Sequence, residues 1–280
     1  MSLLESNKRE LDGLRCYYNK TFTNNWDQIF TLRNHCSGQK SQALSENIIC
    51  RLGGIAEYIL KNLPCEDSLY EGRMGAVIWL CHYADFSHEA RWDNTASELM
   101  TEITDDITLG KLPVNFRYGL CGIGWGMIYL YFHHLLENIP AEVLDIIDRA
   151  VMTINFENVS DYSFDTGMGG VLAYASVRLM YRHPCIWDDK IFSDLEAVAT
   201  KIYGDQNDTK SLYFALVYLD RYKSSSDRID LRPSLEELLD ETIFLPKDEK
   251  YWTFSLIDGC LGSSLSVMLK RKEDEKEKIG

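Results

Sequence analysis

The sequence predicts an all-α fold, and three observations lead to this prediction. First, a Gly-x-x-Gly pattern followed by an apolar run of helical length occurs four times in the 280 residues. Second, the first glycines of successive copies lie 47, 48 and 92 residues apart, and 92 is close to twice the shorter spacing. Third, amphipathic segments with helical spacing separate the copies, whereas the alternating pattern of β-strands is nearly absent.

Each glycine pattern predicts the start of a helix that is apolar on all sides. Near residue 213, where the spacing requires a further copy, residues 210–220 form an apolar run without glycines. We expect a helix there as well, because the period continues across the missing glycines. The four copies are Gly72–Gly75 before AVIWLCHYA, Gly119–Gly122 before IGWGMIYLYF, Gly167–Gly170 before VLAYASVRLM and Gly259–Gly262 before SSLSVML.

The segments between the copies predict amphipathic helices. In residues 141–154, for example, apolar side chains recur on one helical face. Glu142, Asp145, Asp148 and Arg149 fall on the opposite face, which we expect to contact solvent. The amphipathic segments cover residues 43–62, 89–107, 141–154, 188–203 and 234–243.

Each repeat of about 47 residues therefore predicts one helical hairpin, and the whole chain predicts about five to six hairpins. A second helix that is apolar all round must be enclosed, which a ring of inner and outer helices achieves. We therefore expect an α/α toroid that forms a single domain, residues 1–280. In it, residues 1–40 supply N-terminal helices, near 3–19 and 25–35, as an incomplete or a sixth hairpin, and residues 270–280 form a charged tail.

The glycine pairs have an expected structural role. Glycine lets the backbone approach a neighbour closely and permits the positive φ of a tight turn. A lone Gly-x-x-Gly is a weak pattern, whereas four copies on one period are specific. We therefore expect close packing at the start of each of these helices.

Composition and charge exclude several classes of partner. With 29 Lys and Arg against 43 Asp and Glu, the net charge of −14 opposes binding to nucleic acid and to anionic membranes. Residues 1–11 are interrupted by charges before a signal peptide can form, and the 8 cysteines include no Cys-x-x-Cys pair. We expect a cytoplasmic protein with reduced thiols. Residues 118–136 lack Asp, Glu, Lys and Arg, and we interpret them as a buried helix rather than a membrane span.

The glycine patterns at residues 118–130 (YGLCGIGWGMIYL) and 165–174 (DTGMGGVLAY) resemble those of the lanthionine synthetase C-like proteins, the cyclases of lanthipeptide biosynthesis. The resemblance covers residues 43–269. It implies an α/α toroid whose inner helices begin at the glycine motifs, with the active site at that end of the ring. In the cyclases, two cysteines and one histidine hold a zinc ion, which activates a substrate cysteine thiol to add to a dehydrated Ser or Thr.

The zinc ligands of that family have no counterpart at the matching positions. The family places them in Trp-Cys-x-Gly and Cys-His-Gly segments, which do not occur here, and the Cys81-His82 pair lies inside a predicted helix. We therefore predict no cofactor. An alternative zinc site would use Cys121 and Cys260, with His82 or a residue of the His133-His134 pair as the third ligand. The glycines are instead preceded by Tyr70, Arg117, Asp165 and Ile257 at two positions before, and by Glu71, Tyr118, Thr166 and Asp258 at one position before.

Three carboxylates beside the glycines are candidate catalytic residues: Glu71, Asp165 and Asp258. In a ring they would converge at the mouth, where two of them could serve as general acid and base. The alternative interpretation is that they cap helix N-termini. Arg117 and Tyr118 would join them at the mouth as binding residues.

Two aromatic residues on the predicted inner helices, Trp79 and Trp125, have two possible roles. They either line a pocket that stacks on a sugar ring or a peptide side chain, or they pack in the core. The His133-His134 pair near the end of its helix is expected to cap the negative helix end or to form an interface.

These patterns lead to two hypotheses about function. The first is a diverged, zinc-free relative of the lanthionine synthetase C-like proteins that binds a peptide substrate or leader peptide during ribosomal peptide maturation, as a scaffold with other maturation enzymes. With metal it would be cyclase-like. The alternative is a carbohydrate-active enzyme of the six-hairpin type that uses paired carboxylates. P-loop, dinucleotide-binding, His-Glu-x-x-His and Gly-x-Ser-x-Gly motifs are absent from the sequence.

Overall fold

The computed structural model describes residues 39–110, 112–181, 185–205, 208–223, 233–235, 238–239 and 248–279. All regular secondary structure in these residues is helical, which confirms the all-α prediction. The helical runs predicted near 3–19 and 25–35 and most of the helix predicted at 234–243 lie outside the described residues.

Nine α-helices and two short 3₁₀ turns make up the described structure. The α-helices are α1 (Gln39–Lys61), α2 (Arg73–Ser87), α3 (Ala90–Thr108), α4 (Leu120–Phe132), α5 (Ala141–Met152), α6 (Met168–Arg178), α7 (Asp189–Asp205), α8 (Thr209–Lys223) and α9 (Cys260–Ile279), and the 3₁₀ turns are Phe156–Asn158 and Glu249–Tyr251. The amphipathic segments at 43–62, 89–107, 141–154 and 188–203 are confirmed as α1, α3, α5 and α7, and the run without glycines at 210–220 is confirmed as α8. The predicted charged tail continues α9.

The helices that follow glycine patterns, α2, α4, α6 and α9, are called here the glycine-started helices. Every residue is buried over 74–83 in α2, 120–130 in α4 and 168–178 in α6. This burial on all sides is what their continuous apolar sequence predicts. None of the described helices combines the length and the apolar character that crossing a membrane requires.

The described chain divides into two compact units. Residues of Asp67–Leu69 and Met100–Ser234 form unit 1, and the other described residues form unit 2. In unit 1, α4 packs against α6 and α6 against α8, while α5 lies against α4, and α7 lies against α6 and α8. In unit 2, α2 packs against α1 and against α9, although most of the chain separates α2 from α9. The single domain over residues 1–280 stays a prediction.

Candidate functional site

A short loop folds back over the N-terminus of each glycine-started helix. In all four cases, the amide of the residue after the first glycine donates a hydrogen bond to the carbonyl oxygen seven residues earlier. This bond satisfies one of the amides that a helix start leaves without an intrahelical partner. The four bonds are Arg73 to Glu66 (2.7 Å), Leu120 to Pro113 (2.8 Å), Met168 to Asp161 (3.1 Å) and Cys260 to Thr253 (2.9 Å).

The glycines permit this close approach of the loop. A Cβ atom on Gly119 would overlap the carbonyl oxygen of Pro113, and one on Gly122 would overlap that of Phe116. The predicted close packing is therefore confirmed for α4, and the glycines at the starts of α6 and α9 lie similarly close to the preceding loop. The first glycines of α2, α4 and α6 have φ of −110°, −142° and −103°, so none of them uses the positive φ that glycine permits.

At the N-terminus of α8, the helix without glycines, a side chain accepts the hydrogen bonds instead. The carboxylate of Asp208 accepts hydrogen bonds from the Lys210 amide (Oδ1, 3.1 Å) and the Ser211 hydroxyl (Oδ2, 2.7 Å). Its Oδ2 also accepts from the amide of Phe164, at 2.8 Å, which joins the loop before α6 to the start of α8. Asp208 was not among the residues predicted from the sequence. An Asp just ahead of an apolar helical run is the signal that could have found it.

Three predicted site residues come together where α4 and α6 begin. The guanidinium Nη1 of Arg117 lies 3.0 Å from Oδ2 of Asp165, and the Arg117 amide donates to the Asp165 carbonyl oxygen at 2.9 Å. The side chains of this pair are 30% and 40% exposed. Tyr118 is 45% exposed, and its ring centroid lies 5.3 Å from the guanidinium carbon of Arg117. These groups form a surface that is partly open to solvent.

The other two predicted carboxylates, Glu71 and Asp258, belong to unit 2. Glu71 is half-buried and Asp258 is exposed. The amide of Leu256 donates to the carbonyl oxygen of Tyr70 at 2.7 Å, so the loops that carry these two carboxylates are joined.

Glu71 and Asp165 do not occupy the N-cap positions of their helices. The N-caps of α2 and α6 are the glycines Gly72 and Gly167, which make no side-chain cap bond. The carbonyl oxygens of the folded-back loops take the place of a capping side chain.

The loop before α6 carries further polar groups. The carboxylate of Asp161 accepts hydrogen bonds from the Ser163 amide (2.9 Å) and the Thr166 hydroxyl (2.7 Å). Hydrogen bonding by Ser163 is the largest cause that holds the pKa of Asp161 below its ordinary value. The ammonium group of Lys201 lies 2.7 Å from the hydroxyl of Tyr162 and 4.4 Å from its ring centroid.

Both predicted pocket tryptophans are fully buried. The indole nitrogen of Trp79 donates to the hydroxyl of Ser264 at 2.7 Å. The ring of Trp125 stacks on that of Tyr129, with centroids 5.5 Å apart, and meets Phe116 edge-on. These contacts are those of core residues, and a contact with a ligand stays a prediction.

The cysteines considered as zinc ligands lie in surroundings that disfavour a thiolate. Cys121 and Cys260 are buried, and burial raises the pKa of Cys260 to about 12 and that of Cys121 further still. Zinc binds thiolates, which such environments disfavour. In the part of the chain that the structure describes, no group of three or more His, Cys, Asp or Glu residues could hold a metal ion. His133 is the C-cap of α4, as expected for this pair, and its Nε2 lies 2.9 Å from the carbonyl oxygen of Pro233.

A buried ionic cluster in unit 1 was not predicted. Asp148 was expected to contact solvent, but neither its side chain nor that of Arg178 has any exposed surface. Nη2 of Arg178 lies 2.9 Å from Oδ2 of Asp148, and the Tyr174 hydroxyl donates to Oδ1 at 2.8 Å. The indole of Trp187 donates to the Asp148 carbonyl oxygen at 3.1 Å. The expectation failed because a guanidinium from α6 replaces water as the partner of this carboxylate.

Burial and pairing act in opposite directions in this cluster. Burial raises the pKa of Asp148, and the Arg178 charge opposes that rise. For Arg178, burial lowers the pKa, but the carboxylate of Asp148 together with its other neighbours raises it overall. Inside unit 1, the charge of each residue therefore favours the charged form of the other and opposes the effect of burial.

The exposed surface at Arg117, Tyr118 and Asp165 offers groups suited to recognition. An aromatic ring binds by stacking, and a guanidinium and a carboxylate bind by charge pairing. The described contacts thus provide a candidate binding surface beside the glycine-started helices of unit 1. Comparisons of the chain with protein-family models, with curated proteins and with solved structures found no match.

Proposed function

We propose that the chain is a diverged, zinc-free relative of the lanthionine synthetase C-like proteins, which binds a peptide in the cytoplasm during the maturation of a ribosomally made peptide. The observation that carries the proposal is the partly exposed group of Arg117, Tyr118 and Asp165 where α4 and α6 begin. The resemblance implies a functional surface at this end of such helices. In this proposal the chain is a scaffold that presents the peptide to other maturation enzymes.

The proposal includes the α/α toroid. Two features support it, each within one unit. In unit 1, successive apolar helices pack in chain order with amphipathic helices against them. In unit 2, α9 packs against α2, and the loops before these two helices share the hydrogen bond from Leu256 to Tyr70. Contact between the last and the first glycine-started helix is what a closed ring requires.

The carbohydrate-active alternative receives less support. It needs an aromatic face for the sugar, and the two tryptophans considered for that role, Trp79 and Trp125, have no exposed surface. It also needs two carboxylates that act together, as general acid and general base. One of the three candidates, Asp165, is instead paired with a cation, because it accepts a hydrogen bond from Arg117.

The experiment is a direct binding measurement. Short Cys-, Ser- and Thr-rich reading frames that flank the coding sequence would be made as fluorescein-labelled peptides, and their binding to the full chain followed by fluorescence anisotropy. We expect at least one peptide to bind with a dissociation constant of about 10 μM or tighter. Replacing Tyr118 by Ala should weaken it about five-fold or more, because exposed tyrosines often dominate such interfaces.

The matched control is Tyr222→Ala. Tyr222 is 40% exposed, close to the value for Tyr118, but it lies at the C-terminal end of α8, about 20 Å from the start of that helix. This variant should bind like the wild type. Binding by no peptide, or equal loss in both variants, would refute the proposed surface.

A further inference from the structure

A side chain of the protein already occupies part of the proposed peptide surface. The guanidinium of Arg117 lies 5.3 Å from the ring centroid of Tyr118 and 3.0 Å from the carboxylate of Asp165. The face of an aromatic ring attracts a cation, and a nearby carboxylate can form an ion pair with the same cation. Tyr118 and Asp165 therefore form a cation-binding pair, which Arg117 fills.

The same combination recurs in the loop before α9. The ammonium group of Lys250 lies 4.7 Å from the ring centroid of Tyr251 and 2.9 Å from the carboxylate of Asp248. In the loop before α6, the ring of Tyr162 faces the ammonium group of Lys201, a residue of α7. A tyrosine beside a cation is thus a shared feature of three loops that precede glycine-started helices.

The cation held at Tyr118 is replaceable. Arg117, Tyr118 and Asp165 all keep exposed surface, and ion pairs open to water are weak because solvent screens them. The pair of Arg178 and Asp148, by contrast, has no exposed side-chain surface. A ligand cation can therefore compete for the first pair but not reach the second.

The net charge of the whole chain also favours a cationic ligand. A net charge of −14 attracts cationic peptides and repels anionic ones over distances beyond direct contact. The carboxylate at this surface and the net charge of the chain therefore both favour a positively charged ligand.

We infer that the peptide bound at this surface is cationic, and that one of its arginine or lysine side chains replaces Arg117 between Tyr118 and Asp165. The inference rests on the proposed function and specifies the chemistry of its ligand. Arg117 is then a built-in competitor that weakens the binding of peptides without a suitable cation.

The test uses a defined probe, a fluorescein-labelled peptide of alternating arginine and serine, and a second peptide in which citrulline replaces each arginine. Citrulline keeps the shape and removes the charge. The full-length wild type should bind the arginine peptide more tightly. Replacing Arg117 by Ala should tighten that binding by about three-fold, because it removes the competitor, whereas Tyr118→Ala should weaken it.

Arg91→Ala is the matched control. It removes one surface positive charge, as Arg117→Ala does, and the guanidinium of Arg91 also lies over an aromatic ring, 4.1 Å from that of Trp92. Trp92 is only 1% exposed, so no ligand can use its face. Any effect of overall charge appears in both variants, and the difference between them reports the replacement of Arg117.

The outcomes separate the two proposals. Equal affinities for the arginine and citrulline peptides, or an Arg117→Ala variant that binds no more tightly than Arg91→Ala, would overturn this inference. If a flanking reading-frame peptide binds and the arginine peptide does not, the inference fails and the proposed function stands. If no peptide binds at all, both fail.

Discussion

Asp148 and Arg178 form an ion pair from which water is excluded, and removing one partner leaves the other charge buried alone. We expect Asp148→Asn to reduce the free energy of unfolding by about 3–5 kcal/mol, the range typical of broken buried pairs. The pair has no exposed side-chain surface, and Tyr174 and Trp187 add hydrogen bonds to the same residue. Urea unfolding followed by circular dichroism would measure the loss.

An exposed pair provides the control for that substitution. Asp248 and Lys250 lie 2.9 Å apart with about half or more of each side chain exposed, so Asp248→Asn should cost about 1 kcal/mol or less. Replacing both buried partners, as Asp148→Leu with Arg178→Met, should recover much of the loss, because no unpaired charge remains. Similar costs for the buried and the exposed substitution would contradict this account.

Asp161 gives a pH-dependent prediction. Its pKa is lowered in the folded chain, chiefly by hydrogen bonding to Ser163, so folding favours the ionised form. This contribution to stability is present above the ordinary pKa of about 3.8 and is lost as pH falls through the lowered value. We expect Asp161→Asn to lower the free energy of unfolding slightly, by about 0.5 kcal/mol, near pH 7, because solvent screens this exposed carboxylate.

The measurement compares wild type and Asp161→Asn by urea unfolding at several pH values. The difference between them should shrink as the pH falls through the lowered pKa of Asp161, because protonation makes that side chain neutral like Asn. Asn retains one oxygen that can accept from the Ser163 amide, but its Nδ2 cannot accept from the Thr166 hydroxyl. The pH dependence of the difference, rather than its size at one pH, therefore reports the charge. A difference that stays constant with pH would show that the carboxylate charge has no part in holding this loop.

Among the structural elements, the loops that precede the glycine-started helices have the strictest steric requirement. A Cβ atom at position 122 would overlap the carbonyl oxygen of Phe116 and press on Leu69. We expect Gly122→Ala to lower the free energy of unfolding by about 1–3 kcal/mol, since the loop must move off the helix. Thermal unfolding with two spectroscopic probes would measure the change.

Gly204→Ala is the matched substitution in an open place. Gly204 lies in α7, and a Cβ atom there would meet nothing within 4 Å. Alanine should stabilise the chain by about 0.5–1 kcal/mol, because it reduces the freedom of the unfolded backbone. If both alanine variants had the same sign, the close approach of the loop would not explain the glycine pattern.

The helices and the glycine contacts could be predicted because their signals are local and repeated. The period near 47 residues located α8 even where its glycines were missing, since an apolar helical run remained at that position. Glycine has two separate advantages, the steric space for a close neighbour and the freedom to adopt a positive φ, and the sequence pattern does not say which of them is used. Gly119 and Gly122 use only the first of these advantages.

The buried cluster could not be predicted from the pattern along one helix. Asp148 occupies a polar position in an amphipathic segment, and its partner Arg178 follows 30 residues later on another helix. Helical spacing assigns a residue to a face but does not say which tertiary neighbour covers it. For the candidate site, the sequence predicted that five residues meet at one mouth, and the structure shows contacts among Arg117, Tyr118 and Asp165. These contacts depend on two loops that no periodicity describes, and the approach of Glu71 and Asp258 to them stays a prediction.

For the whole molecule, metal content decides between the scaffold and cyclase-like chemistry. Zinc lowers the pKa of a bound thiol, and a chain without it lacks that means of activation. We expect the purified protein, prepared without chelator, to contain far less than about one zinc per chain by elemental analysis. The reason is that Cys121 and Cys260 are buried thiols whose pKa values are raised, so each would have to lose a proton in an environment that opposes the charge.

The same analysis on a variant with Cys121→Ser and Cys260→Ser distinguishes specific binding from contamination. A zinc content near one per chain in the wild type, lost in the variant, would contradict the zinc-free proposal and make a thiol-activating enzyme the better interpretation. A low content in both would leave peptide recognition to the exposed side chains alone. In that case, the acidic balance of the chain and the tyrosine and carboxylate beside Arg117 set the affinity, and binding should weaken as salt screens those charges.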